Sequence, residues 1–262
     1  MMFKGLLHNL KTAYRVLARS RVYTIINLSG LVLGLTASFI LLIFAINELS
    51  YNDFFKNSDR IYRLITQDKK GIKYATGQFI LKQFLQNEFP EIDKANRIIN
   101  LQNALEGISI KLPTAFLELP DFYCTDPEFI DILQMKIIRG QSHSLLAKPS
   151  QIIISQKAAT KYFGSANPIG KTLDVISKGH VYPLIIACVF EDLPWNSTFQ
   201  ADFLAGIGFY KVLLQQYYPD PELELASLND YSAETLIQLK DQTKIQDIEN
   251  GLPKFLEKNK LD

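Results

Sequence analysis

The stretch that looks most like chemistry is Gly164-Ser165-Ala166-Asn167-Pro168-Ile169-Gly170-Lys171-Thr172. A glycine-rich loop ending in Gly-Lys-Thr is the pattern in which backbone N–H groups cradle phosphates. Here the two glycines stand one residue further apart than that motif allows, and Ser165 occupies the position that must be glycine. The flanks are also reversed. A phosphate loop follows a strand and opens a helix, so that the helix N-terminus faces the anion. Gln156–Phe163 reads as a helix stopped by Gly164, and Thr172 begins a strand-like run. The segment is expected to be a structural turn rather than an ATP site.

The remaining reactive residues are dispersed. The three histidines, His8, His143 and His180, share no metal-ligand spacing and sit beside no base–nucleophile pair. Glu191 and Asp192 are adjacent on a strand end, so they point apart and read as a solvated turn. Cys124 and Cys188 lie in apolar strand contexts, Phe122-Tyr123-Cys124 and Ile185-Ile186-Ala187-Cys188-Val189. One pair in so long a chain is not a disulfide framework, and two separate buried thiols are expected. No catalytic residue, no cofactor-binding residue and no metal ligand is assigned, so the reading is of a protein that is not an enzyme and takes no cofactor.

What positions everything else is Val22–Ile46, a run of 25 residues without a charge, 15 of them Val, Leu, Ile or Phe. As a helix it extends about 37 Å, against about 30 Å of bilayer hydrocarbon. A signal peptide would have a shorter apolar core and small residues at a cleavage site, whereas Asn47-Glu48-Leu49-Ser50 follows here. A buried core helix would be shorter or carry a polar face. The run therefore predicts a transmembrane helix. Lys4, Lys11, Arg15, Arg19 and Arg21 precede it with no acid, and Glu48 is the first carboxylate. Cations stay on the cytoplasmic side, which places the N-terminus inside and the 214 residues after Glu48 outside, in the periplasm or its equivalent.

The formal net charge is +1, and its basic component is local and explained by topology, so nucleic acid is not an expected partner. Residues 3–18 carry Phe3, Leu6, Leu7, Leu10, Tyr14 and Leu17 at helical spacing, with Lys4, Lys11 and Arg15 off that face. Such a helix docks in the cytoplasmic membrane interface or serves as a contact for a cytoplasmic partner. Gly30, Gly34 and Ser38 form a small-residue stripe that lets a second helix approach. The expected organisation is a cytoplasmic basic amphipathic helix (1–20), a transmembrane helix (21–47) and an extracytoplasmic domain (48–262).

In that outer region, Ile61–Thr66 starts a strand, and residues 77–89 form an amphipathic helix ended by Pro90. Ala95–Leu101 completes a β-α-β unit. Thr125-Asp126-Pro127-Glu128 reads as a helix start, with Thr125 as cap and Glu128 reaching back. Strands are expected at 135–139, 151–155 and 181–190. An irregular loop is expected over Tyr210–Ala226, and a last helix over 244–258 that Gly251 and Pro253 break or kink.

Three segments carry a family resemblance. They are "NLKTAYRVLARSRVYTIINLSGLVLG" running into "NELSYNDFFKNSDRIYRL", then "QIIISQKAATKYFGSANPIGKTL", and "VFEDLPWNSTFQADFL", which departs from the pattern in carrying Trp195 beside Asn-Ser. Together they resemble the MacB/FtsX-type ABC-transporter permeases over essentially the whole chain. The resemblance implies an α+β fold: one N-terminal transmembrane helix followed by a two-lobed extracytoplasmic, MacB-like periplasmic core domain. Lobe A would comprise about 56–115 plus 195–262, and the inserted lobe B about 121–193. It further implies residence in the cytoplasmic (inner) membrane and a separate cytoplasmic ABC ATPase as partner. A homodimer or paired permease, an extracytoplasmic adaptor, and a role in efflux or mechanotransmission would follow. Relatives return to the membrane with further helices, so the chain is expected to be an N-terminal part of a permease, or a natural short form. The alternative is a single-pass membrane-anchored sensor or binding module without an ATPase.

Overall fold

A computed structural model describes residues 11–12, 14–67, 70–105, 107–111, 116–117, 121–141 and 145–259. They fall in two units, Met1–Asp53 and Phe54–Asp262.

In the first unit, residues 14–19 are helical and bend at Ser20 into helix α1, Arg21–Leu49. Across the bend the Thr24 hydroxyl donates to the Leu17 carbonyl at 2.9 Å. The 29 residues of α1 include no buried one. At about 1.5 Å per residue the helix is long enough to span a bilayer with some tilt. Most of the amphipathic segment expected at 3–18 lies outside the described residues.

The second unit is built from β1 (Ile61–Arg63), β2 (Thr66–Gln67), β3 (Lys73–Tyr74), α2 (Leu81–Glu88), β4 (Ile92–Asn100), α3 (Leu101–Ala104), β5 (Ser109–Lys111), β6 (Phe116–Leu117) and β7 (Phe122–Thr125). These are followed by α4 (Glu128–Ile132), β8 (Ile137–Gly140), β9 (Gln151–Ser155), α5 (Gln156–Phe163), β10 (Thr172–Ser177) and β11 (His180–Phe190). Last come β12 (Phe203–Gly206), α6 (Ile207–Leu214), α7 (Pro221–Leu225), β13 (Glu234–Leu239) and α8 (Ile245–Asn259).

One mixed sheet of 11 strands runs in the order β1-β13-β4-β7-β12-β9-β11-β10-β5-β6, with β8 beside β11. The strands β1 and β4, expected to flank a helix as β-α-β, do so with the late strand β13 antiparallel between them. The segments 121–193 and 195–262 meet in this sheet, since β12 lies between β7 and β9. Alternation along the strands sorts side chains to two faces. In β9, Ile152 and Ile154 join one core with Phe122, Cys124 and Phe209, while Ile153 joins the other with Phe129, Cys188 and Leu204. A third cluster lies where α2 and α8 cover β4 and β13, through Leu81, Leu85, Ile248, Phe255, Ala95 and Ile237.

Three local expectations are corrected. Tyr210–Ala226 is not an irregular loop, because α6 and α7 occupy most of it. Helix α6 buries Ile207, Phe209, Tyr210, Leu213 and Leu214 and is apolar on nearly all sides, which leaves no polar periodicity to read. Helix α7 is capped by Asp220, whose carboxylate accepts the N–H groups of Glu222 and Leu223 at 3.1 and 3.2 Å, with Pro221 in the first turn. Thr125 caps nothing: its hydroxyl lies 2.8 Å from the Arg97 carbonyl and 3.0 Å from Asn96 Oδ1, and α4 begins after Pro127 with no side-chain cap. Finally, α8 runs unbroken through Gly251 and Pro253. A side chain at 251 would strike the Phe89 ring, so glycine there permits helix packing rather than ending the helix.

Candidate functional site

The residues singled out for their chemistry occupy structural places. In the phosphate-loop lookalike, the Gly170 N–H donates to the Ile186 carbonyl at 2.9 Å and the Lys171 N–H to the Pro168 carbonyl at 3.1 Å. Those donors are engaged within the protein, and the loop joins α5 to β10 as its flanks predict. His180 is exposed at the start of β11, and His8 and His143 lie outside the described residues. Asp192 accepts the Lys157 N–H at 2.8 Å at the start of α5, and Glu191 pairs with Lys136 at 3.2 Å. Cys124 and Cys188 are free and buried, on opposite faces of the sheet. Burial pushes both thiols well above their ordinary pKa. Among the described residues no group of histidine, cysteine and carboxylate side chains could hold a metal.

Two features that the sequence reading missed carry more weight. The first is a buried charge cluster where β4 parts from β7. The β4–β7 ladder covers only Ile98–Thr125, Ile99–Cys124 and Asn100–Tyr123. Where it stops, the Asp126 carboxylate takes its place. Its Oδ2 accepts the Arg97 backbone N–H and Nε, both at 2.9 Å, and its Oδ1 accepts Arg97 Nη2 at 2.6 Å. Lys82 on α2 lies 3.3 Å from Asp126 and 3.3 Å from Glu128 at the start of α4. The Arg97 guanidinium stacks on Phe79, 3.9 Å from the ring centroid. Burial alone would raise the Asp126 carboxyl, but the hydrogen bonds and charge of Arg97, with the charge of Lys82, hold it below the usual carboxylate range. The cluster ties α2, β4 and the β7–α4 turn together. Lys82 within a helical stripe and Asp126 before a proline gave no hint of each other, because their 44-residue separation is closed only by the fold.

The second feature is a cavity of about 820 Å³ between α8, α2, β1 and the β2–β3 ribbon. Its floor is apolar, formed by Leu81, Leu85, Ile237, Ile248 and Phe255, and Ile65 and Leu256 stand exposed at its mouth. A smaller cavity of about 420 Å³ lies near Tyr210, Tyr218 and Asp230. Burial raises both the Tyr210 hydroxyl and the Asp230 carboxyl.

On α1, nothing lies within 4 Å of where side chains at Gly30 and Gly34 would stand, so the small-residue stripe is open to a neighbour. The Ser38 hydroxyl donates to the Gly34 carbonyl at 2.9 Å, which satisfies it within the helix.

Comparison with known proteins gives a consistent result. The sequence pattern of the MacB-like periplasmic core domain matches residues 24–255. Among solved structures, a domain of a candidate permease protein from Porphyromonas gingivalis is similar with a TM-score of 0.60 and 24% identity, over 78% of this chain and 86% of that one. The periplasmic region of MacB from Actinobacillus actinomycetemcomitans is similar with a TM-score of 0.53 and 10% identity, over 76% of this chain and 83% of that one. Identities this low establish the fold alone. No curated protein matches the sequence. The family match begins at Thr24, inside α1, and ends at Phe255, inside α8, so the apolar helix and the sheet domain form one family unit. The chain belongs to the MacB-like periplasmic core domain family of ABC-transporter permease-type proteins.

Proposed function

We propose that the chain is a permease subunit, or its N-terminal part, of an ABC transporter. It couples a separate cytoplasmic ATPase to movements of an extracytoplasmic domain, for efflux or mechanotransmission. The observation that carries this reading is the direct continuity of an apolar helix with the family's periplasmic domain. Force arriving along α1 would enter the domain through the residues after Leu49. The cations Lys11, Arg15 and Arg19 before α1 and Arg21 at its start, and the first carboxylate, Glu48, at its end, support a cytoplasmic N-terminus and a periplasmic bulk. The open Gly30–Gly34–Ser38 stripe supports pairing with another membrane helix, in a homodimer or a paired permease. We assign the two lobes expected from the sequence, about 56–115 plus 195–262 and about 121–193, as the parts that move. Strands β12 and β5 of the first lobe pair with β7, β9 and β10 of the second, so the short β4–β7 ladder with its Arg97–Asp126 tie is one of several strand contacts across which they would move.

Two experiments test this reading. Affinity purification of the tagged chain from its native membrane is expected to bring down an ABC ATPase; repeated recovery without one counts against the coupling. A tag placed after Asp262 is expected to be cleaved by protease added to intact spheroplasts; a protected tag would overturn the orientation. The large apolar cavity favours, as the second reading, an anchored binding or sensor module that works without an ATPase. An ATPase-free complex that still bound a ligand would support it.

A further inference from the structure

We propose that the cavity between α8, α2 and the β2–β3 ribbon binds an uncharged, elongated apolar molecule bearing one neutral hydrogen-bonding group, such as an amide, an ester or a hydroxyl. The volume of about 820 Å³ lies within the range of small-molecule sites. The apolar lining runs along two elements. It follows β1 on one side and spans two turns of α8, from Ile248 to Phe255, on the other.

The charge of the ligand follows from what faces the cavity. Among the described residues, the charged side chains that reach it are Arg63 and Glu249, and both are exposed, with Arg63 already 3.5 Å from Glu234. None of them is an ionic partner on the floor, so a charged ligand would lose its hydration without replacement there. An uncharged body pays no such penalty and gains the burial of its apolar surface.

The polar group follows from Gln78. This residue is 6% exposed, lines the cavity, and its side-chain amide has no hydrogen-bond partner among the described residues. Its amide atoms are not among the sealed-off polar atoms left without a partner, so solvent reaches them and a ligand can take that water's place. Gln78 thus holds one acceptor and two donors ready for a group that enters the cavity. A ligand amide would use both kinds, and an ester or a hydroxyl one of them. Ile65 and Leu256, 58% and 41% exposed, extend the apolar surface outward and offer a wall for the remainder of the chain. This inference rests on the fold and the cavity, and it stands whether or not an ATPase drives the protein.

The test uses the whole chain in lipid nanodiscs and a dodecanamide carrying a diazirine at the end of its alkyl chain. Photolabelled residues are mapped by mass spectrometry. Labels are expected in the segments 62–67, 78–85 and 245–256, beyond any background in 22–46. Unlabelled dodecanamide should displace them at least tenfold more effectively than dodecanoate, because the carboxylate is charged. Gln78→Leu should weaken displacement by dodecanamide about three- to tenfold, the value of one neutral hydrogen bond. Ile65→Glu and Leu256→Glu change exposed positions, leave the core untouched, and should each reduce labelling of the cavity. Circular dichroism of each variant checks that it is folded. Labelling confined to 22–46 would overturn the site. Labelling of the cavity that dodecanoate displaces as well, and that Gln78→Leu leaves unchanged, would overturn the assigned ligand class.

Discussion

Replacing Asp126 by alanine is the sharpest test of how the domain is held together. The carboxylate is 5% exposed and accepts three hydrogen bonds from Arg97, between 2.6 and 2.9 Å. Each charge-assisted bond is worth about 1.5–3 kcal/mol, but two come from one guanidinium, so they do not add in full. The larger cost is what remains. Arg97 and Lys82 keep their charges at side-chain exposures of 17% and 11%. Removing one partner of a buried ion pair costs about 3–5 kcal/mol. Lys82 retains Glu128, and Arg97 retains Phe79, so the lower end, about 3 kcal/mol, is expected. Against a total domain stability of about 5–15 kcal/mol that is a large fraction. Asp126→Asn keeps one acceptor and should lose about half as much. The assay is urea unfolding followed by far-UV circular dichroism. A double-mutant cycle with Arg97→Met should show that Asp126→Ala costs about 2 kcal/mol less once the stranded cation is gone. A loss under about 1 kcal/mol for Asp126→Ala, or a cycle with no coupling, would refute the reading of this cluster as the tie between α2, β4 and α4.

Further outcomes follow from the same geometry. Because the Asp126 carboxyl is held below its ordinary range, its contribution is complete above the unfolded value of about 3.9 and fades as the pH falls below that toward the folded value. The stability gap between wild type and Asp126→Ala should therefore narrow in urea melts taken below about pH 4. Gly206→Ala should destabilise by at least about 1–3 kcal/mol in the same melts, since a methyl there would overlap the Leu146 carbonyl, which is backbone and cannot swing away. Gly140→Ala should cost more, because Gly140 has a φ of +95° and also faces the backbone of Ala187 and Cys188. Cys124 and Cys188 should resist a maleimide at pH 8 until the domain is unfolded, and the intact mass should not change on reduction, as the sheet stands between the two thiols.

Much of this protein is set by local pattern. The apolar helix α1 depends on composition and length over one uninterrupted run, and none of its residues is buried. Strands β9 and β11 and helix α5 are equally local: isoleucine-rich runs, a Ser155 side chain that caps through the Ala158 N–H at 3.0 Å, and a Gly164 stop with positive φ. The phosphate-loop lookalike is a turn between α5 and β10, and its flanking order, helix before and strand after, is itself local information.

The tertiary structure decided what depends on partners far apart in the chain. Helix α6 hid because burial on nearly all sides erases the polar stripe that marks a surface helix. Thr125 looked like a cap because the cap pattern is local, whereas the hydroxyl in fact satisfies β4, from residues 28 and 29 positions earlier. The late strand β13 enters between β1 and β4, and its Ile237 joins residues of α2, β1 and α8 in lining the apolar cavity. Spacing along the chain can specify a helix, a strand or a cap, because those bonds join near neighbours. A cavity, or a buried carboxylate between two cations, exists only once segments 29 or more residues apart are brought together, and the free energy that selects such an arrangement belongs to the folded whole.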